Sequence, residues 1–244
     1  MSFWAFLGVL AILAVMAGAL YLSKFAADRE LALQELNRKA RLHHRKIIDL
    51  DELIHTLLIY DRNTSLLESM LKEMSATAEQ GIKLKPDSEE LRSDLLNIRA
   101  IEQEVQVLAA TPKEPEIPAS DQQIFLVKKH FARALKLVRE LHNTGKIDPG
   151  AASTHSKRLS QNALLLEVKA YRHQGAIARS QGEISNAANF FKHAKELLIK
   201  SDLTFDEKTE QIKQVSREIS DLYVTHPENK QSEAEARLIK KQPY

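Results

Sequence analysis

Residues 168–200 read VKAYRHQGAIARSQGEISNAANFFKHAKELLIK, and their pattern of small and large side chains decides the fold. Gly182 falls between two segments of helical periodicity, where a chain reversal needs a residue free of Cβ strain. Gly175 lies on the first segment, and Ala187 and Ala194 lie on the second. Small residues at these spacings let two antiparallel helices approach closely, while Phe191 fills the space beside them. The stretch therefore predicts a helical hairpin.

Working outward, the rest of the chain continues in helices. Only seven Gly and seven Pro occur in 244 residues, and no segment sustains the two-residue alternation of a half-buried strand. A β-sandwich or barrel needs far more turn formers than this, so the expected class is all-α. Towards the C-terminus, Thr204 and Glu207 have capping-box spacing for a helix that buries Ile212, Val215, Ile219 and Leu222 and stops by Pro227. Towards the N-terminus, Asp148-Pro149-Gly150 precedes the long helical run to about Gln181. Ser120 and Gln123 open a helix with Ile124, Val127, Phe131, Leu135, Val138 and Leu141 on one face, closing near Gly145. Before it stands TPKEPEIPAS, residues 111–120, in which three prolines forbid a regular helix and favour a stiff, extended connector.

The acidic part of the chain precedes that connector. Asp87 and Glu90 have capping-box spacing for a helix using Leu91, Leu95, Ile98, Ile101, Val105 and Leu108. Asn63 or Thr64 caps a helix carrying Leu67, Met70, Leu71, Met74 and Ala78 inward, and Gly81 is expected at its C-terminus. Further back, Leu33, Leu36, Ala40, His43, Ile47, Leu50, Ile54 and Leu57 alternate in steps of three and four, an a/d seam suited to coiled-coil-like packing. Net charge is +4 over residues 24–46, −7 over 47–111 and +5 over 121–226, so the chain has an acidic half and a basic half.

The chain opens on FWAFLGVLAILAVMAGALYL, Phe3 to Leu22, with no charged side chain and no Pro. About 20 apolar residues at ~1.5 Å rise span the ~30 Å hydrocarbon core as a helix, and Trp4 and Tyr21 sit near its two ends, where such rings favour the lipid–water boundary. Met1 and Ser2 supply none of the basic charge that a secretory signal starts with, so an uncleaved anchor is expected in spite of Ala17-Gly18-Ala19. Seven basic residues (Lys24, Arg29, Arg38, Lys39, Arg41, Arg45 and Lys46) follow the span and none precedes it, which places the N-terminus outside and the large C-terminal region in the cytoplasm. Small-x-x-x-small spacing at Ala14 and Gly18, with the seam from Leu33 to Leu57, makes a homodimer an expectation as well.

The hairpin at 168–200 resembles a tetratricopeptide repeat. Tyr171 takes the place of the motif's first large aromatic, Gly175 and Ala178 match its close-packing positions, Gly182 falls at its turn, and Ala187, Phe191 and Ala194 reproduce its Ala…Phe…Ala spacing. The departures are Ala178 where an aromatic is usual and Ile199 where a terminal Pro is common. The match covers one repeat length, about 34 residues, and one repeat needs neighbouring helices to cover its core. The resemblance implies that the first helix lines a peptide-binding surface. On that helix Lys169, Arg172 and Arg179 share a side with Ala176, a set of cations suited to an acidic peptide or a chain-terminal carboxylate.

No motif for catalysis emerges. There is no Gly-rich phosphate loop, HExxH or G-x-S-x-G, and with no Cys and no clustered carboxylates beside it His43-His44 reads as a solvated or seam position, not a metal clamp. Glu52 and His55 have the spacing of di-iron ligands, but a bundle site needs a second such pair, and His193-x-x-Glu196 runs the opposite way. The basic half lacks aromatic interleaving, so nucleic acid is not an expected partner.

The resulting expectation is an all-α protein with one transmembrane helix followed by an antiparallel bundle or short tetratricopeptide-like array. Its parts are an anchor at 1–23, a basic helix with the seam at 24–60, a helical hairpin region at 61–110, a Pro-rich linker at 111–120, a tetratricopeptide-like domain at 121–226 and a polar tail at 227–244. The expected role is a non-enzymatic scaffold in a cell membrane, the bacterial inner membrane, binding a protein partner and the lipid bilayer without metal or cofactor. The alternatives are a metal-binding bundle enzyme using Glu52 and His55, and an envelope chaperone with the domain outside the membrane.

Overall fold

The computed structural model describes residues 3–111 and 113–225, with side chains described from Met16 to Val224 apart from Ala17 and Pro112. Among the described residues the fold is all-α, with seven helices and no strand. They are α1 (Phe3–Tyr60), α2 (Thr64–Leu84), α3 (Glu89–Ala110), α4 (Asp121–Asn143), α5 (Pro149–Ser180), α6 (Ile184–Lys200) and α7 (Lys208–Thr225). Two compact units share them: Met1–Asp51 with Met70–Glu104, and Glu52–Ser69 with Val105–Tyr244.

No helix, among the described residues, is long and apolar enough to cross a membrane. The side chains of the Phe3–Leu22 stretch up to Val15, and that of Ala17, lie outside the described residues, so the expected anchor is not shown by the fold. The polar tail at 227–244 lies outside them as well.

In the first unit α1, α2 and α3 converge where Gly81 sits. This glycine does not end a helix, as its sequence context suggested; α2 runs on to Leu84. Its role is steric, because a Cβ there would stand 3.0 Å from Leu91 Cδ1 and 3.2 Å from His43 Cβ. Around the contact, Lys46 Nζ donates to Glu73 Oε1 at 2.5 Å, Asn97 Nδ2 donates to Asp51 Oδ1 at 3.2 Å, and His44 Nδ1 lies 2.7 Å from Asp94 Oδ2. The seam divides along α1: Ala40, Ile47 and Leu50 are buried, whereas Leu33 and Leu36 are 53% and 38% exposed.

Helix starts follow local hydrogen bonding, with two shifts from the sequence expectation. Asn63 caps α2, its Oδ1 accepting from the Leu66 amide at 2.9 Å. For α3 the cap is Ser88, not Asp87, and its Oγ faces the Leu91 amide at 3.5 Å. Ser120 caps α4 as expected, and Asp148 caps α5 through the Gly150 and Ala151 amides, with Pro149 at the first helical position. Helix α7 starts at Lys208 and not at Thr204, because the preceding loop is tied: Lys208 Nζ donates to the carbonyls of Ser201 and Leu203 at 2.5 and 3.0 Å.

In the second unit the hairpin of α5 and α6 closes through Gln181–Glu183, where Gly182 takes φ +78°, a left-handed value that glycine adopts without strain. At Gly175 the two helices approach so closely that a Cβ would stand 2.8 Å from Phe191 Cε1. Ala187, Ala188 and Ala194 are buried with Phe191, and Val215 and Leu222 of α7 complete the same cluster. The neighbours that a lone repeat needs are thus supplied by α4, which packs on α5, and by α7, which packs on α6. Tyr171 stacks near Phe190 with ring centroids 6.4 Å apart and meets the His193 ring edge-on at 4.4 Å.

Replacing Gly175 with Val tests this contact. Overpacking should cost about 1–3 kcal/mol, against which the better helix preference of Val over Gly offsets only about 0.4 kcal/mol. The expected outcome is a lower midpoint of thermal unfolding, and an unchanged midpoint would show that the α5–α6 contact is not tight.

Candidate functional site

One side of α5 carries Lys169, Arg172, Ala176 and Arg179 in steps of three and four, with His173 one turn beyond Lys169, so they share one broad stripe of the helix. That stripe forms a wall of an open groove of about 570 Å³. The ring of Phe191 reaches it from α6 and Glu218 from α7, while Glu114, Pro115 and Ile117 line it from the Pro-rich segment. All three cations named from the sequence, Lys169, Arg172 and Arg179, therefore border a single groove.

Their roles there differ. Arg172 is partly buried and its guanidinium is engaged by Glu218, with Nε 3.0 Å from Oε2 and Nη2 2.5 Å from Oε1. A bidentate pair of this kind is fixed in geometry and contributes little net charge to the groove. Lys169 and Arg179 are exposed. The repeat positions Gly175, Ala187, Phe191 and Ala194 form the packed layer beneath, and Tyr171, whose hydroxyl is pushed above its usual pKa chiefly by burial and then by Asp121 and Glu167, packs toward α6.

The Pro-rich segment is held in place. The Glu116 amide donates to the Ile59 carbonyl at 3.0 Å, the Glu116 carboxylate lies 3.6 Å from Arg62 Nη2, and Pro118 is buried. Along the segment Glu114, Pro115 and Ile117 border the groove while Glu116 meets Arg62. Sequence reading missed this second wall and missed Glu218. Neither leaves a local signal, since Arg172 and Glu218 are separated by 46 positions and a proline-rich run reads equally as a free connector.

Two buried polar clusters support the unit. Asp61 is buried, and its Oδ1 accepts from Arg158 Nη1 at 2.6 Å and from Asn162 Nδ2 at 2.8 Å. His130 is buried, with Nδ1 2.5 Å from Thr56 Oγ1 and Nε2 3.5 Å from Glu52 Oε1. Arg133 Nη1 donates to Glu52 Oε2 at 3.0 Å, and this hydrogen bond holds the Glu52 carboxyl below its usual pKa. Glu52 is thus committed to Arg133 and His130. Among the described residues no three His, Cys, Asp or Glu side chains converge as a metal cluster would require, and His55 is exposed.

No protein-family model matches the chain, and neither a curated protein nor a solved structure matches it. The tetratricopeptide likeness therefore rests on the residues of the hairpin and on the close contact between Gly175 and Phe191.

Burial pushes both His130 and His155 below the usual imidazole pKa, outweighing the opposing pull of Glu52 on the first and of Asp61 and Asp148 on the second. The unfolded chain then binds more protons than the folded one as pH falls past about 6.5, so stability declines with acidification. Urea unfolding at pH 7.5 and pH 5.5 should show a lower midpoint at the acid value, and the difference should shrink when both histidines are replaced with Gln. An equal acid loss in the double variant would assign the effect to other groups.

Proposed function

We propose that this protein is a membrane-anchored, non-enzymatic adaptor that binds a protein partner in the α5 groove. The observation that carries the reading is the groove itself, in which two exposed cations, Lys169 and Arg179, flank a small residue, Ala176, opposite an extended apolar edge formed by Pro115 and Ile117. Such a trough suits a segment of chain better than a compact metabolite, because its contacts are strung along a helix.

The anchor is the stretch from Phe3 to Leu22. Support comes from the part of it whose side chains are described: Met16, Leu20, Tyr21 and Leu22, with Phe25 beyond, are large, apolar and exposed. At 100° per residue these positions lie all round the helix, and an apolar surface on every side suits lipid and not water. The basic residues that follow orient the groove toward the cytoplasm. Confinement to the membrane raises the effective concentration of a captured partner near other membrane proteins.

Deleting residues 1–23 should move the chain from the membrane fraction to the soluble fraction, and a reporter active only outside the membrane, fused after Tyr244, should be silent. In cells, a photo-crosslinking residue at Ala176 should give a discrete adduct that a crosslinker at Lys136, exposed on α4, does not. Retention of the truncated chain in the membrane contradicts the anchor, strong reporter signal favours the envelope chaperone, and the same adducts from both crosslinker positions contradict the groove.

A further inference from the structure

We propose that the groove selects an extended peptide bearing two carboxylates four residues apart, one meeting Lys169 and the other Arg179. The inference rests on the reading of the α5 groove as a docking site and specifies what docks there. Of the three cations, Arg172 already has its charge matched by Glu218, whose two oxygens accept from Nε and Nη2. Lys169 and Arg179 are exposed, and no carboxylate among the described residues pairs with either. The groove therefore presents two separate positive points with a neutralised ion pair between them.

Their spacing sets the ligand. Ten residues of helix at ~1.5 Å each separate the two positions by ~15 Å. A peptide in extended conformation advances ~3.3 Å per residue, so acids four residues apart stand ~13 Å from each other on one side of the chain, within side-chain reach of both cations, whereas a spacing of five turns one acid to the opposite side. A helical ligand with acids at i and i+4 spans only ~6 Å and would reach one cation at a time.

The remaining lining restricts what lies between the two acids. Exposed Ala176 leaves the centre shallow, and Glu218 beside it disfavours a further acid there. Across the groove Pro115 and Ile117, the latter 44% exposed, offer an apolar rail, while Glu114 repels a carboxylate turned that way. Acids are thus directed to α5 and apolar side chains to the rail, the alternation an extended chain provides.

The test uses the full chain in detergent micelles and fluorescein-labelled peptides of equal length and charge, each with two Glu residues separated by one, four, five or eight positions. Anisotropy at 0.15 M salt should show the four-residue spacing binding at least ten-fold tighter than the others. Changing either Glu of the best peptide to Gln should cost about ten-fold on the wild-type protein, a comparison that needs no variant to fold. Lys169→Glu or Arg179→Glu should lose about ten-fold and erase the spacing preference, whereas Arg139→Glu, exposed on α4, should bind as wild type. Equal affinity at every spacing, or undiminished binding by both groove variants, overturns the proposal. If that happens while the Ala176 crosslink persists, the groove still docks a partner and only the two-acid rule is wrong; loss of both removes the docking reading too.

Discussion

The close approach of α5 and α6 at Gly175 is the constraint on which the rest of the second unit depends. With no Cβ at Gly175, the Phe191 ring lies directly against the α5 backbone, and alanines at 187, 188 and 194 keep α6 thin enough to follow it. Packing in a protein interior tolerates little change of volume at such a point. Because α6 and then α7 are seated on this contact, Glu218 is brought to Arg172, and the outward stripe of α5 is left facing the groove. The groove is in this sense a consequence of a missing methyl group at the contact that seats Phe191 beside it.

The other wall depends on polar anchoring. An extended proline-rich segment has few amides to satisfy and little side-chain entropy to lose, so a few contacts hold it. The Glu116 amide on the Ile59 carbonyl, the Arg62 guanidinium near the Glu116 carboxylate, and the buried Pro118 supply them. Deeper in the unit, the Asp61 carboxylate receives Arg158 and Asn162 from α5. Breaking such a buried pair is costly in a way that surface pairs are not, so this contact fixes the register of α5 beside the end of α1. Arg62, with φ +55°, turns the chain out of α1 at that point.

The all-α class and the helical periods were legible because apolar residues recur at helical steps: Leu67, Met70, Leu71, Met74 and Ala78 on α2, and Ile124, Val127, Phe131, Val138 and Leu141 on α4, are all buried as expected. The cation stripe of Lys169, Arg172 and Arg179 was legible for the same reason. What the pattern could not reveal were partners distant in sequence. Nothing near Arg172 announces Glu218, nothing near Gly81 announces Leu91 and His43, and a helix-terminating role for Gly81 was the natural local reading. Capping boxes misplaced the starts of α3 and α7 because the spacing is a two-residue signal: at α3 the neighbouring Ser88 hydroxyl faces the Leu91 amide, and before α7 the Lys208 ammonium ties down the loop carbonyls of Ser201 and Leu203. The seam likewise continues through Leu33 and Leu36 in the sequence, yet only its part from Ala40 onward is buried.

The central claim is that a carboxylate-bearing peptide lies between α5 and the Pro115–Ile117 rail. Its most direct measurement is methyl NMR on the full chain, with Ala and Ile labelled, during titration with a peptide carrying two acids four residues apart. The methyl of Ala176 and the δ-methyl of Ile117 should shift together and saturate with one dissociation constant, while the methyl of Ala152, buried elsewhere on α5, stays in place. Shifts confined to α1, or no shift at Ala176 and Ile117 at saturating peptide, would contradict the account.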